Sequence, residues 1–117
     1  MTVSADVCPV DLAEGLARAG DDREFYRELL ELFLEDARQR LTQLESALAA
    51  GDLREVAATA HSIKGAAANL AAGRAREIAY AIESGGRAGN RAGLAVLTGD
   101  LATEIERVAA FTRSFTA

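Results

Sequence analysis

The spacing of apolar residues most constrains the fold of this chain. Leucine, isoleucine, valine and alanine recur at three- and four-residue steps over most of its 117 residues, which is the period of an amphipathic helix. The single proline is Pro9, so no later segment is barred from being helical. β-Branched residues are sparse and never alternate with polar ones over a useful length, so strands are not predicted.

Residues that start and stop helices divide this pattern into five predicted helices. They span residues 10–19, about 22–50, about 53–70, 74 to about 84, and roughly 91–115. Asp21 or Asp22 would cap the second helix and Asp52 the third, while the run from Gly85 to Asn90 would end the fourth helix in a turn. Four amphipathic helices with short connections predict an all-α fold, an antiparallel four-helix bundle with a short additional N-terminal helix.

Composition bounds the class of protein. We expect residues 1–117 to form a single domain, with residues 1–9 as a flexible N-terminal segment. The net charge of −5 and the scattered arginines argue against binding to nucleic acid or to an anionic membrane surface. One histidine and one cysteine cannot build an ordinary zinc site. No secretory signal and no membrane-spanning run is visible, so a cytoplasmic protein is expected.

The only histidine and the only lysine stand three residues apart, as His61 and Lys64, and Gly65 follows. On a helix these three residues share one face. The apolar stripe of the same helix is formed by Val56, Ala60, Ile63, Ala67 and Leu70. His61 points away from this stripe, so we predict that it is at least partly exposed. Because an imidazole can attack phosphorus and an ammonium can offset the charge of a phosphoryl group, the pattern predicts a phosphohistidine site.

Each of these residues also has a simpler explanation. His61 could be a solvated side chain without a role, Lys64 an ordinary surface residue, and Gly65 a close contact between helices. A three-residue pattern of this kind is weak on its own. Its place on the outer face of a predicted helix, in an all-helical chain of bundle size, strengthens the functional interpretation.

The run from Ala60 to Leu70 resembles the signature of the histidine-containing phosphotransfer (HPt) domains of bacterial two-component relays. The resemblance covers roughly residues 10–115. Its further matches are Arg74, Ile78, Ile82 and Glu83 in the next helix and the turn 86–90 before the last helix. The family often has glycine after the Asn-Leu pair of this run, where this chain has Ala71.

The resemblance implies a role for each residue of the site. His61 would be the phosphoacceptor, at Nε2, while Lys64 would support the phosphoryl group electrostatically and Gly65 would keep the approach clear. The domain would be a carrier rather than an enzyme, and would take its phosphoryl group from the aspartate of a receiver domain or pass it to one. Its partners would be a response-regulator receiver domain or a hybrid histidine kinase. Mg²⁺ would come with the receiver, and this domain would bind no cofactor or metal.

Residues around His61 would form the docking surface for that partner. The candidates are Phe25, Leu29, Leu32, Phe33, Ala57, Ala58 and Ala68. The alanines leave room for the face of a partner, and the second helix would add apolar contacts, although its large side chains would equally fit the core. No dimer seam of the histidine-kinase type is evident, so a monomer is expected.

Two other functions remain open. A fragment of a sensor histidine kinase would also carry a phosphoacceptor helix, but such helices commonly have an acidic residue after the histidine, where this chain has Ser62. The chain also lacks a glycine-rich ATP-binding region. A non-catalytic helical scaffold, in which His61 is incidental, would have an unreactive imidazole.

Overall fold

A computed structural model of the chain describes residues 8–115. Its helices are α1 (Leu12–Arg18), α2 (Arg23–Ala50), α3 (Leu53–Asn69), α4 (Gly73–Arg87) and α5 (Leu94–Ser114). No strand occurs among the described residues, so the predicted all-α class is confirmed. Of the segment that we expect to be flexible, residues 1–7 lie outside the described residues.

Aspartate side chains start the first three helices. Asp11, Asp22 and Asp52 each accept a hydrogen bond from the backbone N–H three residues further on, at 3.0 or 3.1 Å. Because Asp11 is the cap, α1 begins later than the predicted residue 10. Gly51 ends α2 with a φ of 73°, which glycine adopts without strain.

The four long helices form a bundle. Each packs against the next in chain order, α5 closes the ring by packing against α2, and α1 lies against α2. Tyr26 is the largest fully buried side chain of the core, and its hydroxyl donates a hydrogen bond of 2.9 Å to the carbonyl oxygen of Leu70. Gly15 of α1 covers this ring, because a Cβ there would lie 2.5 Å from the hydroxyl oxygen. Burial raises the pKa of Tyr26 to about 12, so the hydroxyl remains a donor.

The fourth helix is longer than the sequence predicts. Gly85 and Gly86 lie inside α4, which ends at Arg87, so the predicted turn at these glycines is wrong. Gly86 packs so closely against α3 that a Cβ there would lie 3.0 Å from the carbonyl oxygen of Leu53 and 3.1 Å from the amide nitrogen of Ala57. The glycine therefore permits a close approach of two helices instead of starting a turn.

A residue with a left-handed backbone conformation lies in the turn between α3 and α4. Ala71 has a φ of 59°, in a region that favours glycine and costs other residues about 1 kcal/mol. Its carbonyl oxygen accepts a hydrogen bond of 2.9 Å from the backbone N–H of Asp11. Alanine thus adopts the conformation in which glycine would be unstrained.

The last helix begins at Leu94, three residues later than predicted. The Asn90 side chain accepts a hydrogen bond of 3.1 Å from the N–H of Ala92, and Gly93 has a φ of 80°, so the chain turns before the helix starts. Within residues 8–115, no helix is long and apolar enough to cross a membrane.

Candidate functional site

α3 presents His61 on the side opposite to the core. The predicted apolar stripe is confirmed, because all its members are buried, namely Val56, Ala60, Ile63, Ala67 and Leu70. The side chain of His61 is 59% exposed. The imidazole therefore lies at the surface of the bundle, open to a partner molecule.

A buried carboxylate from α4 faces this histidine. Oε2 of Glu83 lies 3.0 Å from Nδ1 of His61, and Oε1 of Glu83 lies 2.8 Å from Nζ of Lys64. A second cation, Arg87, places its Nη2 2.6 Å from Oε2. Only 5% of the Glu83 side chain is exposed, whereas Arg87 is largely exposed. One carboxylate thus contacts His61, Lys64 and Arg87.

The surroundings of Glu83 keep it ionised. Its pKa is lowered from the ordinary value, chiefly by the hydrogen bond from Lys64, and burial opposes this effect. The hydrogen bond from His61 and the charges of Lys64 and Arg87 lower the pKa further. The buried carboxylate is therefore paired rather than isolated, which is what makes its burial tolerable.

This pairing determines which nitrogen of His61 can react. An ionised carboxylate only accepts hydrogen bonds, so the contact with Glu83 requires the hydrogen of the neutral imidazole to be on Nδ1. The lone pair of the neutral ring is then on Nε2. No hydrogen bond to Nε2 is made by any residue between 8 and 115, so this nitrogen is available as a nucleophile.

The surface beside His61 is open. A Cβ added at Gly65 would meet no atom within 4 Å, so glycine at this position is not explained by helix packing. Ala58 is exposed and Ala68 is partly exposed. The ammonium of Lys64 also lies 5.3 Å from the ring centroid of Tyr80, an exposed aromatic residue on α4 that was not predicted from the sequence.

The predicted docking residues divide into two groups. Phe25 and Leu32 are large exposed side chains, and Leu29 between them is partly buried. Phe33 is 4% exposed and Ala57 is 7% exposed, so neither can present a side chain to a partner. Phe33 belongs to the core, and Ala57 is covered by Gly86 of α4. Both are structural residues, so the prediction that they contact a partner is wrong.

Glu83 and Arg87 are residues of the site that the sequence did not predict. A signal for Glu83 was present, because it shares the inward face of α4 with Ala79, Ile82 and Gly86 and is the only charged residue on that face. A charged residue at a helical core position is rarely buried without a partner. Arg87 could not be recognised in the same way, since it falls in a segment that the sequence predicts as a turn.

The described residues contain no ready metal site. Between residues 8 and 115, no three histidine, cysteine, aspartate or glutamate side chains lie close enough together to hold a metal ion. The charged groups around His61 instead alternate in sign, with Glu83 between Lys64 and Arg87.

Comparisons with known proteins agree with this geometry. The sequence profile of the Hpt domain family matches residues 28–111. The fold is similar to the crystal structure of histidine-containing phosphotransfer protein B (HptB) from Pseudomonas aeruginosa PAO1, with a TM-score of 0.84 and 27% sequence identity. This similarity covers 90% of this chain and 91% of that chain. A comparison with curated proteins gives no match. The chain belongs to the Hpt family, the histidine-containing phosphotransfer domains that carry phosphoryl groups in phosphorelays.

Proposed function

We propose that His61 carries the phosphoryl group on Nε2, accepts it from the aspartyl phosphate of a receiver domain, and passes it to a receiver aspartate. The observation that carries this proposal is the contact of Nδ1 with Glu83, which leaves Nε2 as the free nucleophile on an exposed surface. In the transfer, the N–P bond to Nε2 forms as the P–O bond of the aspartyl phosphate breaks. The leaving carboxylate keeps the electron pair, and the hydrogen on Nδ1 stays in its bond to Glu83.

Lys64 and Glu83 have complementary parts in this reaction. As Nε2 bonds to phosphorus, positive charge develops on the ring, and the adjacent carboxylate of Glu83 stabilises it. The ammonium of Lys64 has three donors, so it can bind a phosphoryl oxygen in addition to Oε1 of Glu83. Gly65 leaves the space that the phosphoryl group and the partner need. Mg²⁺ would be bound by the receiver rather than by this chain.

An apolar strip on α2 supports docking of a receiver beside His61. Phe25, Leu29 and Leu32 are spaced by four and three residues, so they share one face of α2. The bond from Tyr26 to Leu70 ties the start of α2 to the end of α3. Because antiparallel helices rise equally per residue, Leu32 is about level with Lys64. The exposed apolar side chains are thus about level, along the bundle, with the half of α3 that follows His61.

The test is transfer of label from a phosphorylated receiver domain of the same organism. We expect wild type to gain an acid-labile, alkali-stable label, and His61→Gln to gain none. Lys64→Ala should take label more slowly or lose it faster without unfolding. If wild type gained no label from any receiver, the carrier function would be wrong, whereas labelled His61→Gln would refute the site alone.

Two further measurements separate the competing functions. Incubation with ATP and Mg²⁺ alone should leave the chain unlabelled, since label under these conditions would indicate a kinase fragment. Leu32→Ser should weaken transfer at low receiver concentration, while Val96→Ser should not. Val96 is a matched control because it is equally exposed and apolar but lies on α5. Equal effects of both substitutions would remove the α2 strip from the docking surface.

A further inference from the structure

Glu83 contacts two cations, Lys64 and Arg87, and the proposed transfer chemistry uses only Lys64. Its Oε1 faces Lys64, while its Oε2 is shared between Nδ1 of His61 and the guanidinium of Arg87. Lys64 and His61 have direct parts in phosphotransfer, but Arg87 has none. Its side chain is 66% exposed, yet its Nη2 is only 2.6 Å from the buried carboxylate.

The role of Arg87 becomes clear when His61 carries a phosphoryl group. A phosphoryl group on Nε2 carries close to two negative charges, so it competes with Glu83 for the ammonium of Lys64. When Lys64 turns towards the phosphoryl oxygens, Oε1 of the buried carboxylate loses its cation, and Glu83 keeps only its two partners on Oε2. One of these is the ring of His61 itself, and the other is Arg87, the cation that stays on the carboxylate in both states.

The packing of α4 makes this contact possible. Arg87 follows Glu83 by four residues, so the two share one helix face only because α4 continues through Gly85 and Gly86. The close approach at Gly86 holds this last turn against α3, since the space for a Cβ is already filled by Leu53 and Ala57. The packing of α4 against α3 therefore holds Arg87 close to the helix that carries His61.

We propose that Arg87 is a positioning residue for phosphotransfer, which holds the Glu83 carboxylate on Nδ1 of His61 while Lys64 engages the phosphoryl group. This inference rests on the proposed carrier function of His61. The bonds that form and break are those of the transfer itself, because Arg87 exchanges no proton and touches no reacting atom.

The experiment is a double-substitution cycle on Lys64 and Arg87, measured as the rate of transfer from a phosphorylated receiver and the lifetime of the loaded chain. Arg87→Ala should slow transfer or shorten that lifetime by about three- to tenfold, and Arg87→Lys should restore most of the loss. Arg113→Ala, which removes an equally charged and exposed residue of α5, should change neither. The combined effect of Arg87→Ala and Lys64→Ala should differ from the product of the single effects, since both cations act on one carboxylate.

A spectroscopic measurement distinguishes positioning from a general loss of structure. In ¹⁵N NMR spectra of unloaded Arg87→Ala, the Nδ1–H form of His61 should persist, because Lys64 still pairs with Glu83. In the loaded protein, the Nδ1 signal should shift relative to loaded wild type, since Glu83 has then lost its second cation. The same shift in both forms would point to misfolding and would overturn the proposal.

The outcomes also separate this proposal from the function on which it rests. Normal labelling of wild type together with unchanged kinetics of Arg87→Ala would refute the role of Arg87 alone. Strictly multiplicative effects in the double-substitution cycle would do the same. Absence of label on wild type would refute the carrier function, and the role of Arg87 with it.

Discussion

Replacing Glu83 by glutamine should slow phosphotransfer although the side chain keeps its shape. A carboxylate offers an acceptor to His61 at Oε2 and another to Lys64 at Oε1. Glutamine has only one acceptor oxygen, and its NH₂ group must then face either the Nδ1–H or the ammonium. In either orientation a donor meets a donor, so the substitution loses one of the two interactions as well as the charge.

The magnitude follows from the geometry. With 3.0 Å between Nδ1 and Oε2, the carboxylate lies about 4 Å from the positive charge that develops on the ring, and the attraction is about 1 kcal/mol in water and about 4 kcal/mol at an effective dielectric constant of 20. Since His61 is more than half exposed, the low end applies, about 1–2 kcal/mol. We therefore expect Glu83→Gln to reduce the transfer rate about 5- to 30-fold.

The assay is transfer from a phosphorylated receiver, followed in single turnover at saturating receiver concentration. Glu45→Gln is the matched control, because it removes the same charge from an exposed position on α2. Circular dichroism should show an unchanged helical content for both variants. In a Lys64→Ala background, Glu83→Gln should cost less, since the amide NH₂ can then turn away from His61. A folded Glu83→Gln chain that transfers at the wild-type rate would refute this reasoning.

Three further predictions concern stability. Ala71→Gly should raise the free energy of unfolding by about 0.5–1 kcal/mol in urea titrations, because it relieves the left-handed strain at a φ of 59°; a loss of stability would contradict this. Gly65→Ala should also stabilise the chain, by up to about 1 kcal/mol, yet slow transfer, while Gly86→Ala should cost about 1–3 kcal/mol since its Cβ would press on backbone atoms of α3. If both alanines had the same effect on unfolding, this distinction would fail. The pKa of Glu83 is lower in the folded chain, so its contribution to stability is present above about pH 4.5 and is lost as the pH falls through the folded value. Wild type should therefore lose more stability than Glu83→Gln between neutral pH and pH 3, and parallel curves would show that the carboxylate is not stabilised by folding.

The architecture could be predicted because it depends on local patterns. The five helices, the caps at Asp22 and Asp52 and the buried stripe of α3 follow from residue spacing within one segment. The exposure of His61 follows from the same spacing, because the core stripe occupies the other side of its helix.

The remaining features depend on which helices lie side by side. A glycine pair predicts a turn unless a neighbouring helix passes within contact distance, and only the packing of α4 on α3 shows that Gly86 is such a case. The same packing covers Ala57 and brings Glu83 to His61. Phe25 and Tyr26 are adjacent aromatics on α2, and the position of α1 and α3 decides that Tyr26 is buried while Phe25 is exposed.

The cluster around Glu83 also gives the unloaded and the loaded domain different local charges. Lys64 and Arg87 together exceed the single carboxylate by one positive charge. Loading adds one net negative charge at the same place, because the ring that keeps its Nδ1 hydrogen becomes positive when it bonds to the phosphoryl group. The local positive charge is then cancelled. A partner that approaches with an acidic surface is therefore attracted by the unloaded domain and loses this attraction when His61 is loaded. Discharge into a receiver restores the attraction, so the domain can signal its occupancy to a partner without any movement of its helices.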